Sequence, residues 1–392
     1  VFMWRFIIRH KVFLIAVLSL LLIKMLWVTW SCWGNGSLDD EKDDLLQRKN
    51  YLVGKIMVEP RQLLNEMPGG IGFQFQGEWA LYSCSMLAEA LSNMAELYPE
   101  TKGDAIATID SLIQIVKSPE LRLYDELRWD EDPLESLDGD KSHVSYLSRL
   151  AWMIGNYRRI GGDNKYKQLH DSVCEAMNRR IQQSPILNIP TYPDEPIYVP
   201  DMMVALVALS DYARFNNGKY SSTVKDWICR AKSEWIDNKT GLLVSFLDGK
   251  EMIDAPVKGS YAALNCYYLT KIDSEFAKMQ YEKLKIYFRQ IFPVSGIKEY
   301  HDRSCWLGLD IDAGPIILNL SPSGTAFAIG VATYFNDMEF RNSLLKTAEI
   351  AGHTVKWNNK RHYLLGDIAL VGEAITLAMR INHSTNNIKS DR

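Results

Sequence analysis

Carboxylic acids and a histidine recur at the starts of apolar helical segments in this sequence. The acids are Glu78, Asp140, Asp201 and Asp310, and the histidine is His143. A carboxyl group half-buried among aromatic rings holds its proton and can act as an acid, whereas a solvated carboxylate stays ionised and can act as a base or nucleophile. Two such groups working together carry out glycoside hydrolysis. We therefore predict that these five residues form the catalytic set.

Further polar and aromatic residues occupy similar positions, and we predict that they bind substrate: Gln76, Tyr146, Tyr198, Tyr261, Asp312 and His301. Each residue also has a simpler interpretation. An Asp or Ser at a helix start often only satisfies free backbone N–H groups, and a single histidine is more often a hydrogen-bonded core residue. The occurrence of all these residues at helix starts, rather than any single residue, favours a functional site. Asp201 is the first candidate because Pro200 pre-sets the first helical turn, and His143 is the second.

Other kinds of site have weaker support. The sequence contains no glycine-rich phosphate loop, HExxH or GxSxG motif. His301 and Cys305 lack further zinc ligands, and Asp310 and Asp312 lack the ligand series of a calcium loop. A nucleophilic Cys84 or Cys305 is a further alternative. We predict neither a metal ion nor a cofactor.

The elements that must position these residues are helices, because apolar residues recur at spacings of three and four. One kind of helix is rich in apolar and small residues and starts near Glu78, Ser142, Pro200, Gly259, Ser323 and Gly366. Charged, amphipathic helices alternate with these, and residues 40–58 could supply one more. A helix that is apolar all round is buried, and an amphipathic helix covers it.

This alternation predicts an all-α fold, an (α/α)6 toroid with six inner and six outer helices. The inner helices of such a ring gather their N-termini at one end, where the predicted site residues would meet. A stacked open solenoid would explain the same periods. Strand evidence is thin, and the segment "GLLVSFLDG" reads as a short strand at a loop.

The N-terminal segment differs from this repeat. Residues 12–33 form an apolar run with one charged residue, Lys24, which suits a helix crossing a bilayer. Basic residues precede the run and "LDDEKDD" follows it, which predicts a cytoplasmic tail and a C-terminal domain outside the cytoplasm. We predict that residues 1–36 are the tail and a transmembrane anchor and that residues 37–392 are the toroid. A cleaved signal peptide is the alternative.

The overall charge argues against one class of partner. The 392 residues carry a formal net charge of -4, and no basic run interleaved with aromatic residues follows residue 40. Nucleic-acid binding requires such a footprint, so we exclude nucleic acid as a partner. The composition, 47% hydrophobic with 24 Gly and 14 Pro, is typical of a folded protein.

The repeated helical hairpins resemble the six-hairpin, glycosidase-type toroid superfamily. Within it, "SHVSYLSRLAWMIGNYRRIGGDNKY" and "YVPDMMVAL" are similar to the linalool dehydratase/isomerase family. The resemblance implies a toroid enzyme outside the cytoplasm that uses His143 and Asp201 in elimination or hydration of an isoprenoid alcohol. Residues 192–206 contain no cysteine, whereas that family's loop carries the cysteines its chemistry needs.

The leading hypothesis is a membrane-anchored, extracytoplasmic enzyme that uses carboxylate and histidine acid–base chemistry. Its substrate would be a glycan or envelope polysaccharide, cleaved in the manner of a hydrolase. One alternative is a lyase or hydratase acting on an isoprenoid or other lipid-derived alcohol. Another is a non-catalytic binding platform in an envelope complex. The hypothesis implies a small-molecule, glycan or lipid-derived substrate and membrane contact through the N-terminal helix.

Overall fold

The computed structural model describes residues 11–31, 41–68, 70, 72–367 and 369–384. Most of these residues are helical. The α-helices are α1 Lys11–Ser31, α2 Lys42–Ile56, α3 Pro60–Glu66, α4 Phe73–Leu97, α5 Lys102–Lys117, α6 Pro119–Trp129, α7 Val144–Arg159, α8 Lys167–Gln183, α9 Val199–Phe215, α10 Ser221–Glu234, α11 Gly259–Ile272, α12 Ser274–Phe288, α13 Pro322–Tyr334, α14 Met338–Gly352 and α15 Leu370–Arg380. Short 3-10 helices are Pro99–Thr101, Asn164–Tyr166 and Leu364–Asp367.

Six of these helices form a closed inner ring, namely α4, α7, α9, α11, α13 and α15. Each packs against the next, and α15 packs back on α4. The outer helices α2, α5, α8, α10, α12 and α14 pack on the outside of this ring. The predicted (α/α)6 toroid is therefore confirmed and the open solenoid is wrong. Helix α2 is the extra outer helix expected in residues 40–58.

The difference between inner and outer helices follows from their sequences. In α9, every residue from 202 to 209 is buried, as expected of a helix surrounded by others. In α8, burial follows one stripe, which includes Val173, Met177 and Ile181. Close packing also needs small residues: a Cβ atom added to Gly330 of α13 would lie 2.4 Å from Sδ of Met379 in α15.

Short antiparallel strand pairs reinforce the connections that lead into inner helices. In the described part of the chain they are β1 Ile197–Tyr198 with β2 Phe246–Leu247, β3 Arg289–Gln290 with β4 Gly296–Ile297, β5 Leu307–Asp310 with β6 Gly314–Ile317, and β7 Thr354–Trp357 with β8 Lys360–Tyr363. The strand expected in "GLLVSFLDG" is β2. Because β1 runs directly into α9, its pairing with β2 ties two loops together beside Asp201.

Helix α1 occupies most of the apolar run found in the sequence. It is 21 residues long, and Phe13, Leu20, Leu22 and Leu26 are among its exposed side chains. Among the residues that the structure describes, no helix has the length and apolar character needed to cross a bilayer. The expected boundary between anchor and toroid, at residues 36 and 37, lies outside the described residues.

A cluster of ion pairs joins the beginning of the toroid to its end. The Glu41 carboxylate accepts hydrogen bonds from both terminal nitrogens of Arg341, at 2.7 and 2.9 Å, and from Arg380 at 2.9 Å. Asp44 accepts hydrogen bonds from Arg361 and Arg380. Burial alone would raise the pKa of Asp44, but Arg380 and Arg48 hold it well below its ordinary value. These acids precede or begin α2, so the cluster fastens α2 to the last hairpin.

We expect replacement of Arg341 by methionine to lower the free energy of unfolding by about 3 kcal/mol, because Glu41 then loses one of its two buried arginine partners. The control is Lys167→Met, which breaks the exposed Lys167–Asp171 pair and should change stability by about 0.5 kcal/mol or less. Urea denaturation measures both values. Equal losses in the two variants would contradict a special role for the Glu41–Arg341 pair.

Candidate active site

The first turns of two inner helices bring carboxyl groups to one end of the barrel. Glu78 lies in the second turn of α4, and Asp201 follows Pro200 in the first turn of α9. Asp312 lies in the turn between β5 and β6. The negative charges of Asp201 and Asp312 both raise the pKa of Glu78, so the three carboxyl groups lie near one another. We call this end of the barrel, where they meet, the vestibule. The structure thus brings together three of the residues that we singled out from sequence.

Glu78 is a carboxyl group whose pKa lies above its ordinary value. Burial raises its pKa to about 8, and the charge of Asp201 acts in the same direction. A hydrogen bond from Tyr192 and the charge of Arg149 oppose the rise without cancelling it. The Tyr192 hydroxyl is in turn 3.2 Å from Ser145 Oγ, so its position is fixed. Glu78 therefore keeps its proton at neutral pH.

The charge of Arg149 is a leading influence on the pKa of Asp201 and a smaller one on the pKa of Glu78. Burial raises the pKa of Asp201, but the charge of Arg149 and a hydrogen bond from Thr191 favour its ionised form. Thr191 Oγ1 donates to Asp201 Oδ2 at 2.9 Å, and Arg149 Nη2 lies 4.0 Å from Asp201 Oδ1. Burial thus raises the pKa of both carboxyl groups, and Arg149 and Thr191 oppose this rise at Asp201.

Arg149 is held in place by aromatic side chains. Its guanidinium group lies 3.6 Å from the centre of the Tyr82 ring, and Nη1 donates to the Tyr268 hydroxyl at 3.4 Å. Only 3% of the residue is exposed. A buried cation fixed in this way supplies a constant positive potential beside Asp201.

The hairpin of β5 and β6 is fastened to α11 by Lys258. Its ammonium group donates to both Asp310 oxygens, at 3.0 and 2.9 Å, and to Asp312 at 3.2 Å. Asp310 also accepts hydrogen bonds from the backbone of Asp312 and Ala313. Burial would raise the pKa of Asp310, but Lys258 and these N–H groups keep it below its ordinary value. Asp310 is therefore an ion-paired carboxylate that holds the hairpin to Lys258, and its catalytic role stays a prediction.

Aromatic rings line one side of the vestibule. Tyr198, Phe246 and Tyr261 contact one another edge-on or at a tilt, with ring centres 5.4 to 6.3 Å apart. The Tyr261 hydroxyl donates to Asp312 Oδ2 at 2.8 Å. Tyr198, Tyr261 and Asp312 thus lie where substrate-binding residues were expected. Flat rings with hydroxyl groups are suited to contacts with sugars.

His143 does not line the vestibule. The residue is fully buried, with a left-handed backbone conformation (φ 48°) at the start of α7. Its Nδ1 lies 2.5 Å from Asp125 Oδ2, and its Nε2 lies 3.2 Å from Glu131 Oε1. Both ring nitrogens are engaged, and no face of the ring is open to a substrate. His143 fastens the loop at residues 130–142 to α6 and α7, so its predicted catalytic role gains no support from this geometry.

Four further predicted residues have other environments. Asp140 is exposed on the loop before α7. Tyr146 is fully buried, and its hydroxyl donates to the Val116 carbonyl at 3.0 Å, so it is a core residue. Gln76 donates to the Met67 carbonyl at 3.4 Å. His301 packs against Phe288. No contact described for these four residues involves Glu78 or Asp201.

Sequence reasoning missed Arg149 and Thr191 as residues that contact Asp201. Arg149 occurs in "SYLSRLAWM", inside a helix correctly taken to be buried. A charged residue in the middle of a buried helix needs a partner. A charged residue inside a helix predicted to be buried was therefore the sequence signal that could have identified Arg149.

The fold is similar to those of known glycoside hydrolases. One is the family 105 glycoside hydrolase of C. acetobutylicum ATCC 824, with a TM-score of 0.51 and 11% identity, covering 76% of this chain and 92% of that chain. Another is an unsaturated glucuronyl hydrolase specific for heparin, with a TM-score of 0.53 and 13% identity, covering 89% of this chain and 98% of that chain. At these identities the similarity is one of fold.

No family model matches the sequence, and no curated protein matches it. The fold is thus the (α/α)6 toroid that these glycoside hydrolases share. These two similarities agree with the toroid fold expected from the sequence. They do not show the finer resemblance to the linalool dehydratase/isomerase family.

The raised pKa of Glu78 predicts how the stability of the fold depends on pH. The ordinary pKa is 4.5 and the folded value is about 8, so the fold favours the protonated form. The stability that this contributes is complete below pH 4.5 and is lost as the pH rises through about 8. Glu78→Gln avoids that loss, and its melting temperature should exceed that of the wild type at the alkaline end of a pH series but not at the acidic end.

The control for this prediction is Asp140→Asn, because Asp140 is an exposed loop carboxylate. The difference in melting temperature between Asp140→Asn and the wild type should not grow toward the alkaline end of the pH series. If the melting temperature of Glu78→Gln followed that of the wild type throughout the series, Glu78 would not be a carboxyl group held in its protonated form.

Proposed function

We propose that the protein is a glycoside hydrolase whose active site is the vestibule of the toroid. The observation that carries the proposal is the pairing of Glu78, protonated at neutral pH, with Asp201, a carboxyl group supported in its ionised form by Arg149 and Thr191. Two carboxyl groups with such different environments divide the roles of acid and base or nucleophile. The two toroid structures described above, both of glycoside hydrolases, agree with this chemistry.

In the proposed reaction, Glu78 donates its proton to the glycosidic oxygen as the bond to the leaving sugar breaks. Asp201 faces the positive charge that develops on the sugar ring, and activates water or attacks the anomeric carbon. The charge of Arg149 favours the ionised form of Asp201 and opposes the effect of burial on its pKa. Tyr198 and Tyr261 provide the wall against which a sugar ring packs.

The elimination and hydration alternative has less support. It assigned the proton transfers to His143 and Asp201, and His143 is enclosed on all sides. The alternative of a non-catalytic binding platform does not account for the raised pKa of Glu78. Among glycans, we propose acidic oligosaccharides as the first substrates to test, because one similar structure is of an enzyme specific for heparin. Envelope polysaccharides are the second group.

We expect Glu78→Gln and Asp201→Asn each to lower kcat/KM on a hydrolysed glycan by about 100-fold or more. The control is Asp226→Asn, a change at an exposed residue of the outer helix α10, which should retain the wild-type rate. Reducing-end assays across a glycan panel provide the measurement. A wild-type rate of glycan hydrolysis in Asp201→Asn would contradict the proposal.

The pH profile provides a second test of the same roles. Activity should fall as the pH rises through about 8, when Glu78 loses its proton. It should also fall on the acidic side as Asp201 is protonated, at a pH above the ordinary range for aspartate because burial raises this pKa. A rate that kept rising beyond the Glu78 pKa would exclude Glu78 as the acid.

We also propose that the N-terminal segment attaches the protein to a membrane, with the toroid outside the cytoplasm. Support comes from the apolar run at residues 12–33, the basic residues before it, and the exposed apolar side chains of α1. The attachment would keep a hydrolase close to envelope glycans. This proposal is independent of the catalytic one.

We expect the protein to remain in the membrane pellet after alkaline carbonate extraction. Leu22→Asp combined with Leu26→Asp should release it, because each charge costs about 2.5 to 3.5 kcal/mol in an apolar membrane environment. The matched control is Leu127→Asp, which places a charge at an exposed leucine of the toroid. Protease added outside intact cells should digest the toroid. Recovery of the wild-type protein in the soluble fraction would contradict the attachment.

A further inference from the structure

One face of the β5–β6 hairpin is apolar and open to solvent. Leu307 pairs with Ile317 and Leu309 with Pro315 across the two strands. Because successive residues of a strand point to opposite faces, these four side chains share one face. Leu307 is 80% exposed and Leu309 86% exposed, whereas Ile316 on the other face is buried. A hairpin at a protein surface usually turns its apolar side chains inward, whereas this hairpin exposes an apolar face to solvent.

Other exposed apolar residues belong to the same connection between α12 and α13. Trp306 precedes β5, and Ile291 and Phe292 lie in the turn between β3 and β4. Phe292 is 85% exposed and Trp306 75% exposed. We call these exposed residues the rim patch: Ile291, Phe292, Trp306, Leu307, Leu309 and Ile317. Soluble monomers rarely expose so many large apolar side chains in one segment unless a partner covers them.

Part of the rim patch lies beside the same outer helix as α1. Helix α14 contacts α1, and it also contacts β4. Ser343 Oγ of α14 is 2.9 Å from Ser295 Oγ, and Thr347 Oγ1 donates to the Ser295 carbonyl at 2.6 Å. Ser295 belongs to the turn that carries Ile291 and Phe292. Helix α14 therefore contacts both α1 and the turn that carries two residues of the rim patch.

We propose that the rim patch rests on the lipid surface of a membrane. Aliphatic side chains next to a tryptophan are the composition that enters the boundary between headgroups and acyl chains. The four paired residues of the hairpin face carry no charge that would oppose entry. A contact of this kind needs no membrane-spanning helix. The neighbouring apolar surface of α1 favours lipid over a second copy of the chain, because both surfaces require the same apolar environment.

This contact would place the vestibule at the membrane surface. The turn of the β5–β6 hairpin carries Asp310 and Asp312, which Lys258 and Tyr261 hold at the mouth. A hairpin with one face on lipid and its turn in the vestibule would present the site to glycans that are attached to the membrane. This consequence for the substrate rests on the proposed hydrolase function, whereas the lipid contact does not.

The test places a photoreactive phenylalanine analogue at position 309 of the full-length protein in phosphatidylcholine–phosphatidylglycerol vesicles. The control position is Leu127, which is 66% exposed on α6, a helix that packs on α4 and α7 rather than on α13 or α14. We expect lipid adducts at position 309 several-fold above those at position 127. Equal yields at the two positions, or adducts only with a second protein chain, would overturn the proposal.

A double variant of the hairpin tests whether the lipid contact promotes cleavage of membrane-attached glycans. Leu307→Ser combined with Leu309→Ser should lower the lipid adducts formed from a probe at position 317, because it removes two apolar side chains from the contact. Its kcat/KM should fall on a glycan attached to vesicles and stay unchanged on a soluble glycan. A protein that crosslinks to lipid but cleaves neither substrate would refute the hydrolase and retain the lipid contact. Equal loss on both substrates would refute the link between the contact and the substrate.

Discussion

The packing of α15 against α4 is the contact on which the rest of the molecule depends. An inner helix that is apolar on all sides needs a neighbour on each flank and an outer helix behind it. In an open array, the first and last inner helices would each leave one apolar flank in water. Closing the ring covers both flanks. The ion pairs of Glu41 with Arg341 and Arg380 then join the two ends of the chain across the closure.

Closure also determines the electrostatics of the vestibule. Six helix mouths that meet around an apolar barrel exclude water, so burial raises the pKa of both Glu78 and Asp201. Arg149, which lies beside Asp201 and is fixed by Tyr82 and Tyr268, opposes this rise at Asp201. A buried cation thus makes the environments of the two carboxyl groups different.

Another buried carboxyl group of α4 shows what a structural acid looks like in this fold. Glu89 lies in the C-terminal half of α4, where it pairs with Lys271 and Arg159 and accepts a hydrogen bond from Asn93. Burial would raise its pKa, yet these partners lower it to about 2. Glu78, on the same helix, lacks partners of that strength and keeps its proton. The contrast within one helix supports a functional reason for leaving Glu78 incompletely paired.

The sequence by itself determined the alternation of inner and outer helices and the placement of Glu78, Asp201, Tyr198 and Tyr261 near helix starts. Those features depend on local periodicity and on residues such as Pro200, which act over a few positions of the chain. The tertiary structure decided which polar residues face the vestibule and which are buried elsewhere. His143 and Asp310 looked equivalent to Glu78 in the sequence, but Asp125 and Lys258, which determine their roles, lie 18 and 52 positions away. Burial and charge pairing across such distances exist only once the ring has closed, so no local pattern could reveal them.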